Sequence, residues 1–299
     1  MTLHPPRALN GIALTLVAMA ILPNLDVVAK FLGQQGIPVI EVVWARLFFS
    51  ALITLPLVSA RLGVRALWPR EPAIHSVRAI FLAGSTGLFF WALIYLPIAD
   101  TLAIFFVQPL VITLLSPFML GEHVGIRRWS AVAVGFLGTL IIIRPGFQVL
   151  NPGHLLALGA GISMALYMVI TRRVAGRQDA LATTFHTNAA GALIVSLALP
   201  FIWVQPGLQQ WGEFVLLALI ATAGHYLLVR AYDFAEASLL APLGYTEMIS
   251  AVAVSWWFFG DFPDRWTFLG VGILIASAIY IAYREKVRAS KQPMITAEH

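Results

Sequence analysis

The chain has 299 residues, of which 60% are hydrophobic and 11% charged, with a net charge of +5 and a mean hydropathy of +0.85. Soluble domains run at roughly 45–50% apolar and about 25% charged, so a soluble enzyme is excluded. No cysteine is present, which excludes a disulfide framework, a thiolate nucleophile and a thiolate metal site.

Apolar runs with few charges occur at 11–32, 39–60, 78–97, 99–120, 127–144, 152–171, 180–203, 211–232, 238–259 and 265–283. A spanning helix needs about 20 such residues, so the sequence predicts ten spans joined by tight loops. The first run follows Arg7 and contains Ala18-Met19-Ala20, which imitates a signal-peptide cleavage site. Its apolar character continues to Phe31, longer than a signal core, so cleavage is not expected. Between 78 and 120 only Leu96-Pro97-Ile98-Ala99-Asp100 separates two spans, and Pro97 favours a turn there.

Basic residues set the orientation. With the N-terminus in the cytoplasm, 15 of the 19 Lys and Arg residues lie on the cytoplasmic side, among them Arg78, Arg172, Arg173 and Arg177. Lys30, Arg144 and Arg265 lie on the opposite side, and Arg46 lies inside a span. This is the positive-inside pattern. It predicts a multi-pass protein of the cell inner membrane with both termini cytoplasmic. The basic balance therefore reads as topology, with no nucleic-acid partner.

The two halves resemble each other. An offset of 139 residues carries Gly121-Glu122 to Gly260-Asp261, Ala92 to Ala231 and Gln108 to Glu247. An offset of 137 carries Trp129 to Trp266 and Gly135 to Gly272, and one of 142 carries Gly11 to Gly153 and Lys30 to Arg172. The repeating unit holds five spans. Five is odd, so the second copy enters the membrane upside down. The predicted fold is an all-α integral membrane protein of ten transmembrane helices built as two inverted five-helix repeats, 1–148 and 149–299. Such repeats suit alternating access, with the solute site at their interface near mid-membrane.

Several stretches also resemble a known group. They are Ala92-Leu93-Ile94-Tyr95-Leu96-Pro97-Ile98-Ala99, Gln108-Pro109, Gly121-Glu122 and Gly135-Phe136-Leu137-Gly138-Thr139-Leu140, echoed by Ala241-Pro242, Glu247, Gly260-Asp261-Phe262-Pro263-Asp264 and Tyr280-Ile281-Ala282-Tyr283-Arg284-Glu285. As an ordered set they resemble the drug/metabolite transporter superfamily, in particular its ten-helix EamA-type carriers. Many members have Trp-Gly in the first span, where this chain has Leu22-Pro23-Asn24. Asp26 with Lys30 looks instead like a branch that includes carriers of S-adenosylmethionine-like and riboflavin-like metabolites. Amino-acid exporters and opine-type metallophore exporters also resemble it. The resemblance implies secondary transport of a small organic solute, without settling solute or direction.

Ionisable groups inside a membrane are expensive and mark function by default. In the hairpin of the first two spans, Asp26 and Arg46 lie at similar depth, roughly 10 Å below its outer turn. Lys30 and Glu41 lie nearer that turn. Depth alone predicts two ion pairs, Asp26–Arg46 and Lys30–Glu41, as a structural clamp, an outer gate or a charged site for a zwitterion. Glu247 and its counterpart Gln108 lie near mid-depth, where Glu247 could accept a coupling proton, meet a substrate ammonium, or simply be hydrogen-bonded in place. His225, and His186 beside Asn188, are packing residues, solute contacts or proton relays. Trp91 and Tyr95 follow Gly84 and Gly87 on one face of the third span, and Tyr167 follows Gly159 and Ser163. These aromatics, with Trp44 and Tyr245, are candidates for a pocket taking a planar or cationic solute. Pro23, Pro109 and Pro242 interrupt helical hydrogen bonding in the first, fourth and ninth spans.

The expected partners are a small-molecule solute and the lipid bilayer, with monomer and homodimer both open. No cofactor is expected, since phosphate-cradling glycine loops and a His-Glu-x-x-His metal motif are both missing from the sequence. An intramembrane serine protease fits poorly, because Gly84-Ser85-Thr86-Gly87 places threonine at the nucleophile position. The leading cargo classes are amino acids, their derivatives and riboflavin-like vitamins; a multidrug exporter of lipophilic cations is the alternative.

Overall fold

The computed structural model describes residues 5–121, 126–143, 151–174, 178–231, 234 and 241–291. Glu122 of the repeat, Arg144 and Arg177 of the charge pattern, and positions 232–233 and 235–240 lie outside them. In chain order the helices are α1 (Pro5–Gln34), α2 (Val39–Leu62), α3 (Pro72–Ala92), α4 (Ile98–Phe105), α5 (Gln108–Leu120), α6 (Ile126–Ile143), α7 (Pro152–Val174), α8 (Ala180–Ser196), the single turn α9 (Leu199–Ile202), α10 (Leu208–Ala231), α11 (Glu247–Phe259) and α12 (Arg265–Lys291). Short 3-10 turns at Val64–Leu67 and Ala241–Thr246 complete the described backbone, which contains no strand.

Six stretches are long and apolar enough to cross a membrane, namely Leu9–Gln34, Val39–Leu62, Pro72–Ala92, Ile98–Met119, Pro152–Thr171 and Leu208–Leu228. The fold is thus that of an all-α, multi-pass membrane protein. The remaining apolar runs are helical too, in α6, α8, α11 and α12. α8 stops at Ser196, just ahead of Pro200, and the run to Phe259 divides into a 3-10 turn and α11. Pro23 sits inside a continuous α1, where it removes its own N–H from the helix ladder without ending the helix.

Interruptions do occur in the fourth and ninth runs. Phe106 and Val107 separate α4 from α5, and α5 restarts with Pro109 in its first turn, where a missing N–H removes no bond. Ala241–Thr246 precedes α11 in the same way and contains Pro242. α5 and α11 each have 13 residues, and each ends on a left-handed glycine, Gly121 (φ 69°) and Gly260 (φ 72°). Gln108 opens the first of these helices and Glu247 the second. Phe106 and Tyr245, separated by the same 139 residues, meet edge to face with ring centroids 5.2 Å apart.

The main helix contacts join the first half of the chain to the second. α1 packs on α10, α3 on α7, α2 on α8 and α6 on α12. The last pair crosses at two glycines. A Cβ at Gly270 would lie 2.6 Å from the carbonyl oxygen of Gly138, and one at Gly138 would lie 2.9 Å from that of Gly270. Absent side chains let the two backbones touch.

Polar contacts gather at both ends of the bundle. At the Lys30 end, Gln35 donates to Glu213 (3.1 Å), the Val204 N–H donates to Glu41 (3.1 Å), Asn151 donates to the Tyr95 carbonyl (3.2 Å) and the Thr267 hydroxyl donates to Asp100 (3.0 Å). At the Arg78 end, α3 is tied to α7 and to Gln178 before α8, while His186 of α8 reaches the Ala66 carbonyl (2.9 Å). α1 therefore finishes at the Lys30 end, where α7 begins. α4 also begins there, where α11 finishes.

Candidate functional site

Six side chains from six helices converge around Arg46 in the interior. Arg46 of α2 and Asp26 of α1 are both buried, at 8% and 6% exposure. The Arg46 guanidinium donates through Nη1 to the hydroxyl of Thr86 on α3. Asp26 lies within electrostatic reach of both Arg46 and Glu247 of α11. Arg46 is similarly placed toward Tyr167 of α7, and His225 of α10 toward Arg46. His225 donates through Nδ1 to the Ala221 carbonyl (2.7 Å), which leaves Nε2 as the ring's acceptor. His225 is exposed and Glu247 half-buried.

The arrangement sets one guanidinium among two carboxylates, a hydroxyl, a phenol and an imidazole. A guanidinium fork grips a carboxylate, and carboxylates grip an ammonium. The chemistry suits a zwitterion. Among the described residues, no group of three or more His, Asp or Glu is placed to hold a metal ion.

The expected ion pairs are corrected in detail. Asp26 and Arg46 make no direct salt bridge, because the guanidinium turns to Thr86. Lys30 does not meet Glu41. Its ammonium pairs instead with Asp261 beyond α11 (3.3 Å) and lies 4.5 Å from the centroid of the Phe259 ring, while Glu41 takes the Val204 N–H. The cause is packing. α1 and α2 share a turn but lean on α10 and α8, so equal depth does not make them partners.

The other candidates sit elsewhere. Trp91 and Tyr95 are 46% and 44% exposed, on the side of the third run that also exposes Ile80 and Ile94, away from the converging groups. Trp44 belongs to an aromatic cluster, stacked on Phe48 at 4.8 Å and donating to Ser196 (2.9 Å). Gln108 donates to the sulfur of Met168, next to Tyr167 (3.0 Å). Tyr245 packs on Phe106. His186 abuts His75, with centroids 4.9 Å apart, and Asn188 is half-buried on α8. Thr86, His75 and Arg78 are not among the candidate site residues read from the sequence. Arg78, counted from the sequence among the cytoplasmic charges at the start of the third span, is 2% exposed within α3. Pro72 at the helix start and the buried spacing His75-Arg78-Ala79-Leu82 are the signals that place it inside.

A cavity of about 180 Å³ lies beside Lys30, lined by Ala29, Gly33, Val42, Phe90 and Leu93 among others. The Lys30–Asp261 pair is partly exposed, at 13% and 34%, so it contributes only about 0.2–1 kcal/mol. We expect Lys30→Ala to raise the maleimide labelling rate of a cysteine placed at Ala29 by up to about fivefold. The chain has no native cysteine to give background.

Comparison with known proteins adds a lineage. The EamA-like transporter family matches residues 9–144 and again residues 151–283. An S-adenosylmethionine uptake transporter of Rickettsia prowazekii (strain Madrid E) is 28% identical, over 95% of this chain and 96% of that protein. A riboflavin transporter of Rhizobium johnstonii is 26% identical over 98% and 97%, and the pseudopaline exporter CntI of Pseudomonas aeruginosa (strain UCBPP-PA14) is 24% identical over 93% and 97%. A protein crystal structure superposes with a TM-score of 0.62 at 18% identity, over 96% of this chain and 99% of that one, a likeness of fold alone.

Proposed function

The chain belongs to the EamA-like transporter family, and from that premise we propose that it carries a small metabolite with an amino-acid head group across the inner membrane by alternating access. The protein is a multi-pass membrane transporter and not an enzyme. In the reading offered, ten spans form two inverted repeats, 1–148 and 149–299, with both termini cytoplasmic. Support comes from the helix directions, since α1 and the span formed by α4 and α5 run opposite to α7 and α11, their counterparts in the second half. The contacts of Phe106 with Tyr245 and of α6 with α12 also join corresponding parts of the two halves.

The observation that carries the cargo reading is the convergence on Arg46. In this reading the cargo's carboxylate docks on Arg46 and its ammonium lies between Asp26 and Glu247, with Tyr167 and His225 completing the wall. Gln108 and Tyr245, at the two helix breaks, move with the gating helices. Glu247 is the group proposed to take up a coupling proton. An exporter of lipophilic cations is the weaker reading, because Arg46 repels a cation that brings no carboxylate to it.

The test is uptake of labelled S-adenosylmethionine, methionine and riboflavin into proteoliposomes, with and without a pH gradient. The two solutes with amino-acid heads are expected to enter faster than riboflavin. Equal rates for protein-loaded and empty vesicles with all three solutes would overturn the proposal. With Glu247→Gln, transport is expected to become indifferent to the gradient; uptake still driven by it removes this carboxyl from coupling.

A further inference from the structure

Arg78 is buried more deeply than Arg46 and occupies a different level of the bundle. It lies on the buried face of α3, eight residues before Thr86, about 12 Å along the helix toward the opposite end. Its partners are all neutral. Nε donates to the Thr171 hydroxyl at 3.0 Å, Nη1 reaches His75 Nδ1 at 3.3 Å and Nη2 reaches the Tyr167 hydroxyl at 3.4 Å. His75 holds Gln178 through Nε2 at 3.1 Å, so its Nδ1 is the lone pair facing the arginine. No carboxylate forms a salt bridge with Arg78 among the described residues.

Two physical points follow. A buried cation whose direct hydrogen-bond partners are all neutral leaves an electrostatic demand for an anion, even with the Glu71 carboxylate within electrostatic reach of His75. The contacts also differ in quality: the anchor at Nε is short, whereas both terminal nitrogens sit near the limit of hydrogen bonding. The outer fork, the part that grips a carboxylate, is therefore held loosely and pointed at groups an anion can displace. Tyr167 joins this level to the one above. Its ring centroid lies 5.3 Å from the Arg78 guanidinium, and the same residue is within electrostatic reach of Arg46. Tyr167 and Thr171 belong to α7 and Arg78 to α3, so a shift between the two halves changes how far the fork is open.

We propose that Arg78 is a second contact for the cargo's carboxylate, which passes from Arg46 past the Tyr167 ring to Arg78 as the carrier opens toward the Arg78 end. This rests on the amino-acid-head reading above. Arg78 thus acts in transit and contributes little to initial capture at Arg46.

The experiment compares S-adenosylmethionine with its decarboxylated analogue, using full-length protein in proteoliposomes. Arg78→Gln is expected to lower turnover of S-adenosylmethionine by about tenfold or more, as for a lost hydrogen bond to a charged group, with binding affinity held within about twofold. The decarboxylated analogue, which has no carboxylate to dock on Arg46, is expected to move slowly in the wild type, and this residual rate should not fall further in Arg78→Gln, whereas a merely structural defect would lower both. Arg78→Lys keeps the charge and loses the fork, so it should show a smaller version of the same selective loss and carries the test where Arg78→Gln fails to insert. If both probes slow equally in these variants, or neither slows, the assignment of Arg78 is overturned and the Arg46 site stands. If the wild type moves neither probe, the amino-acid-head reading falls and this assignment falls with it.

Discussion

Arg46→Gln is expected to reduce carboxylate-dependent uptake by about 100-fold, the upper range for hydrogen bonds to a charged group. The change removes the cation from a setting that keeps Asp26 and Glu247 within reach of each other. Two carboxyl groups then share the interior without a counter-charge, so the variant is also expected to melt earlier. Breaking buried charge compensation typically costs about 3–5 kcal/mol. Arg46→Lys retains the charge but cannot donate as a fork, and should lose about tenfold in uptake with less effect on melting. The double variant carrying Arg46→Gln with Asp26→Asn should recover part of the melting temperature and none of the uptake. Thermal unfolding in detergent and proteoliposome uptake read the two effects separately. Full recovery of uptake in the double variant would reduce Arg46 to a structural clamp.

The second large effect lies far from this site. Gly270→Val is expected to destabilise the protein by about 1–3 kcal/mol or more, the range for overpacking. The new Cβ would face the Gly138 carbonyl oxygen at 2.6 Å, and a backbone atom has no rotamer into which it can retreat. Gly272→Val is the control, because nothing lies within 4 Å of a Cβ there. The melting temperature should fall for the first variant and hold for the second. Similar melting of both would mean that α6 and α12 tolerate separation.

Much of this architecture was legible in the sequence because the bilayer imposes strong rules on composition. Every apolar run contains helix, and Gln108 and Glu247 were singled out before their shared place at the start of a half-helix was known. What escaped depends on direction around a helix axis. Counting along the first hairpin gave Lys30 the right depth but the wrong partner, since Asp261 lies 231 residues away. Trp91 and Tyr95 were put on a pocket-like face because small and aromatic residues alternate there, yet lipid-facing and pocket-facing stripes share that composition. Arg78 was counted among the cytoplasmic charges because it opens the third apolar run, and a buried guanidinium writes the same letter as a solvated one. Proline was informative only where the chain also broke. Pro109 and Pro242 stand at interruptions, while Pro23 lies within a continuous helix.

The edge-to-face ring pair of Phe106 and Tyr245 couples the two interruptions. Each ring sits just ahead of a half-helix, so neither half-helix tilts without pressing on the other. The pair behaves as a shared fulcrum that makes the stroke of one arm the stroke of its twin. Under the proposed alternating access, such gearing would disfavour an intermediate with both mouths ajar.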